Sequence, residues 1–189
     1  MGKKVIAITG GIGSGKSYVC SLLQQEGIEV YDCDRAAKRI MRSVPAIREQ
    51  LTALIGPGTY INGELNKAAV ARFILSETDN KQAVNAIVHP AVARDFLESR
   101  YEWIESAILF EAGFDRLISP TKVVCVSAPR ETRMARIMVR DGLTREKAAE
   151  WIDQQMPQEE TERRSDYVII NDGNEQELKQ QIHKLLEQC

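Results

Sequence analysis

The stretch Gly10-Gly11-Ile12-Gly13-Ser14-Gly15-Lys16-Ser17 constrains this chain more than any other. It fits the pattern G-x-x-x-x-G-K-[ST] without a gap. An apolar run, Val5 to Ile8, precedes it, and Val19, Leu22 and Leu23 follow at helical spacing. Strand, glycine loop and helix in that order are the context in which such a loop holds phosphate. Glycines at 11, 13 and 15 let the backbone curl around Ser14 with its N–H groups pointing inward. The helix that starts near Gly15 adds the positive end of its dipole. Lys16 supplies a mobile cation for the β- and γ-phosphates of a nucleotide, and the Ser17 hydroxyl suits Mg²⁺. Tyr18 can offer its backbone N–H to the α-phosphate. The plain alternative is a glycine-rich turn that matches by chance, and the flanks weigh against it.

Bulk properties narrow the field further. With 189 residues the chain is long enough for one good-sized domain with its own core. A net charge of −2 and no long Lys/Arg run disfavour general nucleic-acid binding. No run of about 20 apolar residues exists, so no membrane-spanning helix is expected. The opening Met1-Gly2-Lys3-Lys4 leads into too short an apolar run for a signal peptide. Met1-Gly2 is discounted as a myristoylation site because Ile6 stands where Ser or Thr is needed. Cys20, Cys33, Cys125 and Cys189 form no C-x-x-C pair, which predicts reduced thiols and a cytoplasmic setting. Nothing in the pattern fixes an oligomeric state.

The spacing of apolar residues predicts a first strand over 4–9, a helix over 15–26 ended by Gly27, and a second strand over 28–31. Residues 35–101 read as almost wholly helical, interrupted at Gly56-Pro57-Gly58 and by a tight turn or small hairpin at 61–65. A third strand is expected over 106–110, ending at Glu111, and a fourth over 122–127. Helices over 131–141 and from Thr144 to about 155 follow, then a fifth strand over 167–170 and a terminal helix. Five apolar strands alternating with helices give a doubly wound α/β core. Ligands in such sheets bind beyond the carboxyl ends of the strands. That rule singles out the glycine loop, Asp32 and Asp34, Glu111, and Asn171-Asp172-Gly173.

Phosphoryl transfer needs more than a nucleotide: charge neutralisation, a placed acceptor and a group to steer its proton. Asp32 and Asp34, two apart on a continuing strand, are expected to face the same side. One could reach water on Mg²⁺ while the other meets an acceptor hydroxyl; the alternative is a solvated turn with acidic caps. Arg133, Arg136 and Arg140 stand three and four apart, which predicts three guanidinium groups on one face of a lid helix. The alternative is an ordinary solvated face. His89 stands in the helical stretch as either a structural histidine or a substrate contact, with Arg94 further along as a candidate for a substrate phosphate. Glu111 serves either Mg²⁺, substrate or simply the strand end.

The guanine reader Asn/Thr-Lys-x-Asp and the Asp-x-x-Gly switch of regulatory GTPases are missing from the sequence, as is the Leu-Ser-Gly-Gly-Gln of transporter ATPases. A small kinase remains. The opening Ile-Thr-Gly-Gly-Ile-Gly-Ser-Gly-Lys-Ser, then Asp-Cys-Asp, His-Pro, Ile-Leu-Phe-Glu, the Arg-x-x-x-Arg-Asp lid entry and Asn-Asp-Gly come in the order and spacing of dephospho-CoA kinase, which the chain resembles over nearly its whole length. The resemblance implies a three-layer P-loop NTPase core with a five-stranded parallel sheet at about 1–34, 104–129 and 166–189. A helical acceptor lobe would occupy about 35–103 and a helical lid about 130–165. It implies transfer of the ATP γ-phosphate to the ribose 3′-hydroxyl of dephospho-CoA, with Mg²⁺. By the family pattern Asp34 orients that hydroxyl, Thr9 lies beside it, and Asp32 supports it or the metal. Arg140 would meet the transferring phosphate and Arg136 flank the adenine. His89, Arg94 and Glu111 would surround the acceptor, and Asn171 and Gly173 belong to the adenine-side loop. The sequence departs from the family at Tyr18, Cys33 and Ala107-Ile108, where Thr, Ala and Pro-Leu are common. Two rivals stay open: another small-molecule kinase of the nucleotide or shikimate type, and a non-catalytic nucleotide-binding module.

Overall fold

A computed structural model describes residues 3–77 and 79–189; Met1-Gly2, discounted above as a lipidation signal, and Thr78 lie outside the described residues. In chain order the elements are β1 (Ile6–Thr9), α1 (Lys16–Gln25), β2 (Val30–Asp32), α2 (Cys33–Ser43) and α3 (Pro45–Ile55). Then come β3 (Tyr60–Ile61), β4 (Glu64–Leu65), α4 (Lys67–Ser76), α5 (Asn80–Glu98), β5 (Trp103–Glu105) and α6 (Phe114–Ile118). The chain closes with β6 (Lys122–Ser127), α7 (Arg130–Asp141), α8 (Arg145–Asp153), α9 (Gln158–Arg163), β7 (Tyr167–Ile170) and α10 (Glu175–Glu187). These divide into two compact units, Met1–Tyr31 with Tyr101–Cys189, and Asp32–Arg100.

The first unit is built on a five-stranded sheet in the order β2-β5-β1-β6-β7. β1 lies at its centre, parallel to β5 on one side and β6 on the other. Helices cover both faces, so Ile6, Ala7 and Ile8 are each wholly buried, and the strand reads as one unbroken apolar run. Ile6, Ile8, Val124, Val126 and Ile169 share a core with Val19 and Leu23 of α1 and Ile182 of α10. This is the doubly wound α/β fold expected from the alternation of strands and helices. The central strand delivers the glycine loop at its carboxyl end, between the sheet and α1.

The third sheet strand is not where the sequence pattern puts it. β5 spans Trp103–Glu105, in register with Ile6–Ile8, and residues 107–113 turn instead of extending. Backbone bonds from Ala112 N–H to the Ile108 carbonyl and from Phe114 N–H to that of Leu109 close these turns. Leu109 and Phe110 are buried all the same. A short apolar run records burial but does not distinguish a strand from a buried turn. Glu111 therefore sits in a turn segment and not at a strand end. The second strand is also displaced, to Val30–Asp32, and α2 begins at once with Cys33. Neither α6 nor α9 has a counterpart among the expected helices, being short segments of five and six residues. The helix expected to reach about 155 ends at Asp153.

The second unit is helical, with α2, α3 and α4 packed against α5. Its small hairpin is real: Asn62 and Gly63 have φ of 51° and 84°, the paired left-handed conformations of a type I′ turn. Tyr60 ties it to α2 by donating its hydroxyl to the Met41 carbonyl, 2.6 Å away. Phe96 of α5 is the largest wholly buried side chain among the described residues. Its replacement in Phe96→Ala is expected to lower unfolding stability by about 3–5 kcal/mol, read from a urea midpoint shift at unchanged slope.

Candidate active site

The glycine loop is held by close approach on every side. Gly13 has φ of 78°, and a Cβ there would lie 2.6 Å from the Arg133 carbonyl oxygen. A Cβ on Gly15, φ 91°, would meet the Asn171 amide nitrogen at 2.0 Å. One on Gly11 would strike the Arg133 guanidinium at 2.2 Å. Gly13 is held bare by the α7 backbone and by its positive φ, and Gly15 by its positive φ, whereas at Gly11 the close neighbour is the movable end of the Arg133 side chain. Gly15 caps α1, and the Lys16 ammonium folds back over the loop, donating to the Gly10 carbonyl at 2.6 Å and that of Gly11 at 3.4 Å. Ser17 follows, exposed in the first turn of α1. The Ser14 hydroxyl is wholly buried and, among the described residues, makes no hydrogen bond. A buried hydroxyl without a partner is costly, and an anion seated in the loop would supply one.

Three outside residues brace the loop. Asn171, buried at the end of β7, donates its side-chain amide to the Ser14 carbonyl at 2.8 Å. Arg136 donates to the Asn171 carbonyl at 2.9 Å and to the carbonyls of Gly13 and Ser14 at 3.3 Å. These bonds draw loop carbonyls outward, the direction that leaves N–H groups facing the phosphate side. Arg133 takes the Ile12 carbonyl. The Tyr18 backbone N–H is bonded to the Gly15 carbonyl at 3.0 Å, and its hydroxyl donates to Glu175 at 2.5 Å.

The acidic and basic candidates each take a definite place on their own element. Thr9 is buried at the end of β1. Asp32 does not share a strand face with Asp34. It caps α2, its carboxylate accepting the Arg35 N–H at 2.8 Å, and Asp34 is exposed in the first turn of that helix. The strand alternation fails because α2 begins at Cys33, two residues before the helical stretch expected from 35, and the acidic-cap alternative describes Asp32 well. The three arginines do not form one exposed face either. Arg133 is buried beneath the loop, Arg136 is spent on loop carbonyls, and Arg140, in the last turn of α7, is exposed and paired with Asp141 at 2.7 Å. Seven residues of helix, about 10 Å, separate Arg140 from Arg133, so only the far arginine leaves the loop behind. The Asp141 carboxylate holds the Arg140 guanidinium above its already high ordinary value. Glu111 accepts the Met156 N–H at 3.2 Å, joining the 107–113 turns to the segment between α8 and α9.

His89 lies half-buried inside α5, followed by Pro90, and burial pushes its imidazole below the ordinary value. Arg94 is exposed on the same helix and borders a groove of about 450 Å³ with Ile40, Ile47 and Pro90. Gly173 is packed on its own helix start: a Cβ would lie 1.9 Å from the Glu177 carboxylate. Cys125, buried in β6, has its thiol pushed up to about 12 by burial and by the Glu162 carboxylate. Cys33 is buried at the first position of α2.

Comparison with known proteins names the arrangement. A family model described as dephospho-CoA kinase matches residues 4–177. The chain belongs to the dephospho-CoA kinase family. It is 39% identical to the dephospho-CoA kinase of Bacteroides fragilis over 188 residues, 96% of this chain and 90% of that one. To the dephospho-CoA kinase of Porphyromonas gingivalis it is 42% identical over 177 residues, 88% of this chain and 85% of that one. A crystal structure of TT1252 from Thermus thermophilus superposes with a TM-score of 0.82 at 34% identity, covering 100% of this chain and 98% of that one.

Within this member of the dephospho-CoA kinase family, sequence reasoning missed Gln155 and Gln158. Gln155 accepts the Ile12 N–H at 2.6 Å, and Gln158 accepts from Arg133 at 2.9 Å. Both stand in a polar stretch, Gln154 to Glu160, whose composition resembles any solvated loop, so only the fold reveals them.

Two outcomes follow. Gly13→Ala should weaken ATP binding by at least about tenfold, measured by calorimetry, because its Cβ meets backbone on a positive-φ residue. Cys125 should be the last of the four thiols alkylated by iodoacetamide between pH 7 and 9, read by peptide mass mapping.

Proposed function

We propose that this chain transfers the γ-phosphate of ATP to the 3′-hydroxyl of the ribose of dephospho-CoA, giving CoA and ADP, the last step of CoA synthesis. One observation carries the reading: a braced glycine loop with a buried, unpartnered Ser14 hydroxyl, in a chain that matches the family from residue 4 to 177. Lys16 and the N-terminus of α1 take the donor's phosphates. Arg136, Asn171 and Gly173 stand toward the adenine end. Asp34, the exposed carboxylate in the first turn of α2, accepts the proton of the acceptor hydroxyl or orients it. Thr9, Asp32, His89, Arg94 and Glu111 are assigned to the acceptor's surroundings. Residues 35–103 serve as the acceptor lobe and 130–165 as a lid that shuts out water, which would otherwise compete for the phosphoryl group. Arg140 meets the transferring phosphate. Its present partner Asp141 adjoins it in an exposed pair, which is cheap to break.

The donor set also suits Mg²⁺. That ion keeps several waters and is held largely by substrate phosphates, so one exposed hydroxyl, Ser17, beside the phosphate loop is a sufficient protein ligand. When bound, the ion neutralises charge on the β- and γ-phosphates. Reduced thiols and the family's reaction favour the cytoplasm, and no helix among the described residues is long and apolar enough to cross a membrane.

The deciding assay follows ATP consumption against dephospho-CoA, AMP, CMP and shikimate. Turnover with dephospho-CoA alone is expected; preference for any other acceptor overturns the reading in favour of a different small-molecule kinase. Asp34→Ala should lower kcat by at least about 10²-fold with ATP binding nearly intact, and unchanged turnover would remove Asp34 from the chemistry. Lys16→Ala should weaken nucleotide binding and turnover together, checked by calorimetry and initial rates.

A further inference from the structure

Behind the phosphate loop lies a buried polar chain that the reaction as described does not use. Arg133 is only 4% exposed, although arginine is among the residues least often buried. Its Nε donates to the Ile12 carbonyl at 2.9 Å, its Nη1 to the Gln158 carbonyl oxygen at 2.9 Å, and its Nη2 more weakly to that of Gln155 at 3.5 Å. All three acceptors are neutral. Gln155 Oε1 also takes the Ile12 N–H, so both polar groups of the loop's outermost residue are turned toward the α7–α9 side. The chain continues from Gln158 Nε2 to Ser127 and Glu162, and Ser127 donates to Glu162 at 2.6 Å. Among the described residues the guanidinium bonds no carboxylate directly: along this chain it meets Glu162 through an intervening amide, and the Glu159 carboxylate acts on it only through space. It also packs directly against Gly11, where no Cβ intervenes between the cation and the loop backbone.

A full positive charge buried this way acts in a medium of low polarity, where it is felt over several ångströms with little screening. The side of the loop opposite the guanidinium is the side on which phosphate oxygens are received. We propose that Arg133 is a positioning residue and the rear cation of the phosphate site: it fixes the Ile12 peptide outward, and its charge, left without a directly bonded counter-ion, strengthens the hold of the loop on a polyphosphate. Gln155 is the element that keeps this charge uncancelled, because it offers Arg133 and Ile12 an acceptor without a negative charge. Burial lowers the proton affinity of the Arg133 guanidinium, in keeping with a cation held against desolvation, although an arginine remains charged at any physiological pH. The proposal rests on the nucleotide reading above and adds a residue to it.

Gln155→Glu separates bracing from charge. A carboxylate accepts both hydrogen bonds at least as well as the amide oxygen, so a role limited to bracing predicts an unchanged or tighter loop. A role through charge predicts the reverse, since the new carboxylate neutralises Arg133 in place. In the full chain, Gln155→Glu should raise the Kd for ATP about tenfold, with an unchanged or higher Tm and a larger effect on KM for ATP than on kcat. Arg133→Met should weaken ATP binding further, and Arg133→Lys should recover part of that loss, keeping the charge but not the fork. An ATP Kd within twofold of the parent in Gln155→Glu, with cooperative unfolding retained, would overturn the rear-cation role and leave the nucleotide reading intact. A parent chain that binds no ATP would sink both.

Discussion

The structure depends on keeping a short piece of backbone bare and turned the right way. Between β1 and α1 the chain approaches α7 and Asn171 so closely that side chains at 11, 13 and 15 would collide with them. In that space the loop carbonyls are drawn outward by Arg133, Arg136 and Asn171, and Lys16 folds over the loop from α1. Backbone N–H groups are obligatory donors, so with the Ile12 and Ser14 N–H groups already bonded, the loop's remaining donors are the ones left for an anion. The rest of the first unit serves this arrangement. The buried sheet fixes where the loop starts, and the helices after β6 supply the groups that brace it.

The braces differ in kind. Asn171 and Arg136 contact each other and the loop at one end, so the turn after β7 and the middle of α7 form one wall. Arg133 works from beneath, in a chain of side-chain hydrogen bonds that runs through Gln155, Gln158 and Ser127 to Glu162. Networks of this sort are costly when incomplete, because each buried group left unpaired loses its hydration. A change in the 154–158 segment is thereby transmitted to Ile12 through Gln155 and Arg133. Glu111, bonded to the Met156 N–H, ties the 107–113 turns into the same segment.

The family assignment and the geometry support each other at different levels. The match over residues 4–177 says which chemistry to look for. The structure says which side chains are committed to holding the loop and which remain exposed. Arg136 and Arg133 belong to the first group; Asp34, Arg94 and Arg140 belong to the second. That sorting is invisible in a motif, where all of them are simply charged letters at suggestive spacings.

Much of this protein was legible without coordinates. The glycine loop, the strands at 6–9, 122–127 and 167–170, the Asn62-Gly63 turn and the stops at Gly27 and Gly142 are local matters, set by backbone sterics and by burial on both faces. The order of motifs along the chain carried the family. What remained undecided were questions of which partner a residue meets. Ser106 to Phe110 is apolar enough for a strand, yet Trp103–Glu105 holds the register beside β1 and the later residues are buried in turns. Asp32 and Asp34 look like strand neighbours until α2 begins between them. Arg133 looks like a surface residue until the fold closes over it, because its partners at Ile12 and Gln158 lie 121 and 25 residues away in the chain. Local pattern encodes conformation and burial; the pairing of distant polar groups exists only once the chain is folded.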